Sequence, residues 1–516
     1  MLSLLLLACT DPTPPTGELR FVRGAVVAPS GEEGRPLAGG GRLVERDWQP
    51  GETVALSGLT ATAPRRAECL PLFSVELGDV SRLVAGGGSA PNTALAFSPN
   101  GEVLAVGSYT GELLLLDGWT GAVRARRRLA ETMVKSVLWS ADGKTLYAAE
   151  QSPDAYIYAL SADDLSTQWS LRLADIVGTS APPDEEDIYG VYTLPAAYGL
   201  VVLPGGDLIA AALHSWNDQD GRRRNRSQIL RIHTDGTIVA RWPEQPADAA
   251  LKHPRVDDSG TLVLASVSRS ADGPPPDDLP IGGVVALRAE DLSLITSVTP
   301  EPLKPWFDQA FVWEAMDISA ELGIFIGLGD GRLSTWGLDG TAQLQSNTGA
   351  PIMAGDVPIH ASVGFGFFSG GGLLYSTSKT LIPYGAASSA LRPPTAHPAE
   401  NTLSHTDPDG TVRWSWSGSQ VISGLSLSDA GSHLVVGAGD RQTDDRRDLY
   451  GGLVFDLREP ASGRSGEERL EAFCPTQGPV FFRQAMSADG RVALAEHPYT
   501  DGEGSVVGRY QLTVMR

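Results

Sequence analysis

Ala94-Leu95-Ala96-Phe97-Ser98-Pro99-Asn100-Gly101-Glu102-Val103-Leu104-Ala105-Val106-Gly107 joins two short apolar runs through a tight polar turn. Apolar runs of this length around a Ser/Asn/Gly turn read as neighbouring antiparallel strands. The arrangement recurs at Ser140-Ala141-Asp142-Gly143, Leu203-Pro204-Gly205-Gly206, Asp257-Asp258-Ser259-Gly260, Ser319-Ala320-Glu321-Leu322, Ser369-Gly370-Gly371-Gly372, Ser428-Asp429-Ala430-Gly431 and Ser487-Ala488-Asp489-Gly490, eight copies in all. Self-similarity at a period of roughly 40 to 60 residues marks repeats that cannot bury their faces alone and must stack on their neighbours. The expected fold is therefore all-β: a single β-propeller of eight four-stranded blades, with seven as the alternative count.

Composition agrees with many strands and turns. The chain has 516 residues, 42% of them apolar, with 59 Gly and 36 Pro, and no amphipathic helix of convincing length is visible. A ring grows by adding blades, so one domain suffices at this size. The formal charge of −22 argues against a nucleic-acid partner, because phosphate binding requires a basic face, and against docking on an anionic membrane surface. A monomer is the default expectation.

The first blade reads as strands over 94–97, 102–107, 112–117 and 122–128, and the second as strands over 136–139, 145–149, 156–160 and 167–171. The eighth copy, from Val480, has apolar runs at 491–495 and 504–514 and then runs out of chain. Leu70 to Glu76 are apolar enough to supply its missing strand from the N-terminal side. Residues 69–516 are thus assigned to the propeller. Residues 18–68, with strand-like Leu19-Arg20-Phe21-Val22 and Thr53-Val54-Ala55-Leu56, are expected to form a small β appendage too short for an independent core.

Two resemblances bear on identity. Thr110-Gly111-Glu112-Leu113-Leu114-Leu115-Leu116-Asp117 resembles a WD40 repeat, and Leu116-Asp117-Gly118-Trp119-Thr120-Gly121 and Asp409-Gly410-Thr411-Val412-Arg413-Trp414 resemble quinoprotein (PQQ)-type repeats, although strict WD or Gly-His dipeptides are missing. The second resemblance implies that Trp169, Trp242 and Trp414 pack between neighbouring blades. At the chain start, Leu6-Leu7-Ala8-Cys9 closes an apolar run too short to span a membrane and resembles a bacterial lipobox. That likeness implies a signal peptide over 1–8, acyl chains on Cys9 that tether the protein to an envelope membrane, and a flexible stalk over 9–17. Thr10 after the Cys implies outer-membrane sorting. No Lys or Arg precedes the apolar run, so the expected start lies upstream. Spending Cys9 on lipid leaves Cys69 and Cys474, near the two ends of the ring, to form a disulfide or to remain as two buried thiols.

Connections between second and third strands are expected to be long at 214–227, 268–281, 379–400, 439–450 and 497–504. Loops alternate between faces in a propeller, so these share one face, the expected binding side. That face gathers His214, Trp216, Arg222, Arg223, Arg224 and Arg226, and it adds Trp306 and Phe307 as aromatic contact surface. Asp218-Gln219-Asp220-Gly221 resembles part of a calcium loop but lacks the later bidentate Glu, so no metal is assigned. Eight scattered His carry no metal-site spacing, and no nucleophile elbow, phosphate loop or dinucleotide fingerprint occurs. No cofactor and no catalytic residue is assigned. The expected function is a non-catalytic interaction platform for an envelope or secreted protein. Carbohydrate or small-ligand binding at the central channel mouth is the alternative, and a channel-site hydrolase or lyase stands third.

Overall fold

A computed structural model describes residues 67–80, 92–182, 190–269, 279, 282–302, 312–354, 357–380, 395–418, 421–428, 431–439, 450–458, 463–500 and 504–516, and before these only short strands. The chain divides into two compact units, residues 1–67 and 68–516. In the first, Arg20–Val22, Ala25–Ala28, Arg42–Glu45 and Arg35–Pro36 form a four-stranded sheet, and Val54–Leu56 pairs with Leu59–Ala61. Cys9, Trp306, Phe307 and the segment Pro274 to Pro276 lie outside the described residues.

In the second unit four-stranded antiparallel sheets follow one another along the chain. Sheet 1 comprises Ala94–Phe97, Val103–Gly107, Glu112–Asp117 and Val123–Arg128. Sheet 2 begins at Met133–Trp139, sheet 3 at Ala196–Val202, sheet 4 at Ala249–Val256 and sheet 5 at Val312–Ser319. Sheet 6 begins at Ala361–Ser369, sheet 7 at Ile422–Leu427 and sheet 8 at Val480–Met486. The first strand of each sheet lies beside the first strand of the next, and that of sheet 8 lies beside that of sheet 1. Two pairs of sheets are joined further: Gln151 of sheet 2 pairs with Ala196 of sheet 3, and the first strands of sheets 5 and 6 hydrogen-bond in parallel at Glu314 and Phe365.

The turn chemistry explains the repeat. In sheet 2 the Ser140 hydroxyl donates to Asp142 (2.7 Å) and accepts from the Thr145 amide (3.0 Å), while Gly143 adopts φ 68°. Only glycine takes that left-handed conformation without steric cost. Ser98 with Asn100 and Ser487 with Asp489 build the same turn, and Asp257 replaces the serine in sheet 4, where its carboxylate accepts from the Thr261 and Leu262 amides.

Burial grades outward through each sheet. In sheet 1 the middle strands are almost wholly buried, whereas Val123–Arg128 alternates between exposed and half-buried positions. Middle strands packed on both faces require continuous apolar runs such as Leu113 to Leu116, and burying each such side chain is worth about 1.5–3 kcal/mol. The hydrophobic core is accordingly divided among the seams. One cluster unites Leu113, Leu115, Leu146 and Ala148 from sheets 1 and 2, and another unites Leu104, Leu116, Leu512 and Val514 from sheets 1 and 8. Trp169 of sheet 2 packs on Gly236 in the turn of sheet 3 and donates its indole N–H to Thr234 (2.8 Å). Trp414 is buried against Phe455 of sheet 7, and Trp242 packs on the seam between sheets 3 and 4.

The eighth sheet takes its last strand from the beginning of the unit. Pro71–Glu76 pairs antiparallel with Gln511–Met515, from Gln511 opposite Glu76 to Met515 opposite Pro71. Its exposure pattern is that of Val123–Arg128, so it occupies the outer position. Phe73 on this strand packs on Gly121 of sheet 1. Just before it, Cys69 forms a disulfide with Cys474 on the last strand of sheet 7, with Cα atoms 4.6 Å apart.

One expected long connection is corrected. Residues 214–227 are not a loop: Leu208–Asn217 and Arg223–Ile232 form a continuous ladder of ten pairs, from Leu208 opposite Ile232 to Asn217 opposite Arg223. Only Asp218 to Arg222 turn. Polar residues sit inside the ladder because they satisfy one another there, as in the buried Ser215–Asn225 bond of 2.6 Å.

Candidate binding site

Two features of the second unit offer surface to a ligand. The first is the long hairpin of sheet 3. At its tip the Asp218 carboxylate accepts from the Asp220 and Arg222 amides (3.0 and 2.9 Å), and its other oxygen receives Arg224 (3.0 Å). The Asp-x-Asp-Gly fragment is therefore turn chemistry, with the Asp218 oxygens already engaged. Arg224 also pairs with Asp248 (3.1 Å), so it braces the hairpin. Arg222 and Arg226 are exposed, and Arg223 and Trp216 are half-buried. His214 is only 4% exposed. It stacks on Trp216, contacts Ser180 (2.7 Å) and the Val177 carbonyl (3.3 Å), and burial lowers its pKa. It supports the hairpin from within and does not face a partner. The acidic stretch Asp184 to Asp187, a candidate counter-charge for these arginines, lies outside the described residues.

The second feature lies where the first strands converge. A cavity of about 470 Å³ is lined by residues from the first strands of sheets 1, 5, 6, 7 and 8 and from the end of the first strand of sheet 4. One wall is apolar, with Phe97, Leu425, Leu427 and Met486. The other is ionic. Glu314 receives Arg483 at 3.0 Å, with Arg255 at 3.8 Å and His253 at 3.9 Å. Burial opposes its charge, but Arg483, His253 and Arg255 together outweigh that and hold the carboxyl at about 2. Three residues on, Asp317 accepts from the Ile318 and Phe368 amides (2.9 and 2.8 Å), yet burial pushes it up to about 6. Two carboxyls with opposed shifts are the electrostatic pattern of an acid and base pair. Glu314, however, is committed to its ion pairs.

The depressed pKa of Glu314 sets an expected pH dependence. A carboxyl held at about 2 when folded contributes stability above its unfolded value of about 4.3 and loses it as pH falls toward 2. Glu314→Gln is expected to flatten the urea-unfolding free energy across that window by an amount on the order of 3 kcal/mol. An unchanged acid limb would show that the ion pairs add nothing.

Nearer the starts of the first strands, Lys135 of sheet 2 places its ammonium 3.8 Å from the centroid of Tyr198 in sheet 3, and Lys252 of sheet 4 stands 5.4 Å from the same ring. The buried Gln151 accepts from Lys135 (2.8 Å) and donates to Tyr198 (3.2 Å) and the Leu194 carbonyl (3.0 Å).

One further cluster, His433, Asp456 and Glu471, has metal-ligand spacing. Asp456 is already bound by Arg458 (2.8 Å) and Arg464 (2.5 Å), which makes the cluster an ion-pair network. Sequence reading assigned neither this network nor the cavity. The available signal was an ionisable residue at Lys135, Lys252, Glu314 and Arg483, inside the first apolar run of its repeat.

No family model matches the chain, and no curated protein matches it. Among solved structures, the C-terminal WD40 domain of Sif2 superposes with a TM-score of 0.52 at 11% identity, over 87% of this chain and 99% of that one. The β-propeller domain of Cps50 (Swd1) from Myceliophteria thermophila gives 0.42 at 12% identity over 87% and 99%. The dihydro-heme d1 dehydrogenase NirN gives 0.42 at 14% over 71% and 64%. The fold is that of a WD40-like β-propeller, and at these identities the likeness concerns fold alone.

Proposed function

We propose that this protein is a lipid-anchored interaction platform of the bacterial cell envelope. In this reading it is an eight-bladed ring closed by residues 71–76, tethered through acyl chains on Cys9 at the outer membrane, and it presents the face of its long connections to an envelope or secreted protein. The succession of sheets, the seam between sheets 8 and 1 and the Cys69–Cys474 disulfide support the ring. The lipobox-like Leu6-Leu7-Ala8-Cys9 supports the anchor.

The observation that carries the platform reading is the hairpin of sheet 3. Its paired strands run ten residues, against five and six for the equivalent strands of sheet 1, and it lifts exposed Arg222 and Arg226 at one face. A planar guanidinium held on a rigid hairpin suits bidentate capture of a carboxylate on an acidic partner surface. Exposed side chains of this kind contribute little to folding.

The test is cross-linking in intact envelopes. A Arg222→Ala/Arg226→Ala variant is expected to change stability by less than about 1 kcal/mol while losing a stoichiometric cross-linked protein that the wild type captures. Capture undiminished in that variant would remove the hairpin from the interface. Cys9→Ala is expected to release the protein from the membrane fraction and to abolish labelling by a fatty-acid analogue; retention with label would refute the anchor.

A further inference from the structure

Lys135 of sheet 2 and Lys252 of sheet 4 both stand over the ring of Tyr198, and Lys252 and Arg483 of sheet 8 both act electrostatically on Lys135. Their surroundings are asymmetric in charge. Arg483 has Glu314, but among the described residues no carboxylate pairs with Lys135 or Lys252. Lys252 has no hydrogen-bond acceptor for its ammonium among those residues; its described contact is the face of Tyr198. Lys135 has one acceptor, Gln151, which is itself fixed by Leu194 and Tyr198.

Two ammonium groups beside one aromatic ring repel each other, and their partial burial raises the cost of both. Burial, reinforced by Lys252 and Arg483, lowers Lys135 to about 7, and burial with Arg223 lowers Lys252. A folded chain of net charge −22 has carboxylates in excess, but among the described residues none of them pairs with either lysine. Such an arrangement persists where a ligand provides the missing charge.

We propose that the site framed by Lys135, Tyr198 and Lys252 binds a small oxyanion carrying two or more negative charges, a polycarboxylate or a phosphate-bearing molecule. A single charge would neutralise one ammonium and leave the other opposed. Lysines reach as compact point charges with rotatable donors, which suits an anion recognised by charge more than by planar shape. Gln151 fixes Lys135, so part of the site is organised before the ligand arrives. The inference does not depend on the platform reading.

Calorimetric titration and thermal shift of the full chain at pH 6, with inorganic pyrophosphate and citrate as probes and acetate as the monovalent control, test it. At least one probe is expected to bind and raise Tm where acetate does not. Lys135→Met and Lys252→Met are each expected to weaken binding at least tenfold, and Arg126→Ala on the exposed outer strand of sheet 1 to leave it unchanged. Stronger binding of pyrophosphate assigns a phosphate-bearing ligand, and stronger binding of citrate a polycarboxylate; parity assigns recognition by charge alone. Without any probe, both Met variants are expected to keep or raise the wild-type Tm, since each removes one of two like charges beside Tyr198. A lower Tm in both would mark the lysines as structural and overturn the proposal. So would the absence of binding by either probe at about 5 mM, or equal binding by wild type and Met variants. Partner capture is read separately on the hairpin variant, so either reading can fail alone.

Discussion

Loss of the Cys69–Cys474 disulfide is expected to lower the unfolding free energy by up to about 6 kcal/mol. The bond encloses a loop of 405 residues, and chain-entropy stabilisation grows with the logarithm of that length. The figure is an upper value because a denatured chain of this size retains structure. Cys474 is fully buried and Cys69 nearly so, both within the seam between sheets 7 and 8. Equilibrium urea unfolding of wild type with and without reductant, beside Cys69→Ala/Cys474→Ala, checks this. Reduced wild type and the double variant are expected to coincide, both with a lower midpoint. A midpoint indifferent to reductant would mean that the seam holds without its covalent link.

Removing Arg491 is expected to loosen a second seam. This side chain is 1% exposed in sheet 8 and spans the seam to sheet 1. Its guanidinium donates to the Gly101 carbonyl (2.7 Å) and to Asp489 (2.9 Å), and it lies 4.0 Å from the ring centroid of Trp119. Burial works against the Asp489 charge, while hydrogen bonds from Arg491 and Ser487 hold its pKa down. Arg491→Ala leaves the Gly101 carbonyl without this donor, a loss of about 1–3 kcal/mol, to which lost packing on Trp119 and Phe97 adds, while Asp489 keeps solvent and Ser487. Arg491→Lys keeps the charge but not the fork and is expected to recover only part of it. Hydrogen exchange is expected to accelerate first in strands 103–107 and 492–496, on either side of that seam. Uniform acceleration across all sheets would deny Arg491 a local role.

The fold was legible because its turns carry their own chemistry. Ser140, Asp142 and Gly143 specify a hairpin within four residues, and the alternation in 71–76 suits an outer strand wherever it docks. The hairpin of sheet 3 was misread as a loop because Ser215, Asn217, Arg223 and Asn225 look like solvent-facing residues, yet each lies in a ladder pair. Polarity signals exposure only when no partner is at hand, and a sequence does not show who stands opposite. The charged site was illegible for a related reason. Lys135, Lys252, Glu314 and Arg483 are separated by tens to hundreds of residues and share no local spacing. Only the convergence of first strands brings them to one axis. Within each repeat the signal is a single ionisable residue in an apolar strand, which resembles noise until it recurs.

The outer strand of sheet 8 also dictates an order of events during synthesis. Glu76 pairs with Gln511, so 435 residues must be made after the first before the second exists. At ribosomal rates of about 5–20 residues per second that interval is roughly 20 to 90 s. Throughout it, residues 71–76 lack their native partner strand, and until Cys474 is made Cys69 has no native thiol to oxidise with. Nascent chains of this protein therefore pass through a long stage with a sticky N-terminal edge, during which holdase chaperones and control of thiol oxidation decide how many reach the finished fold.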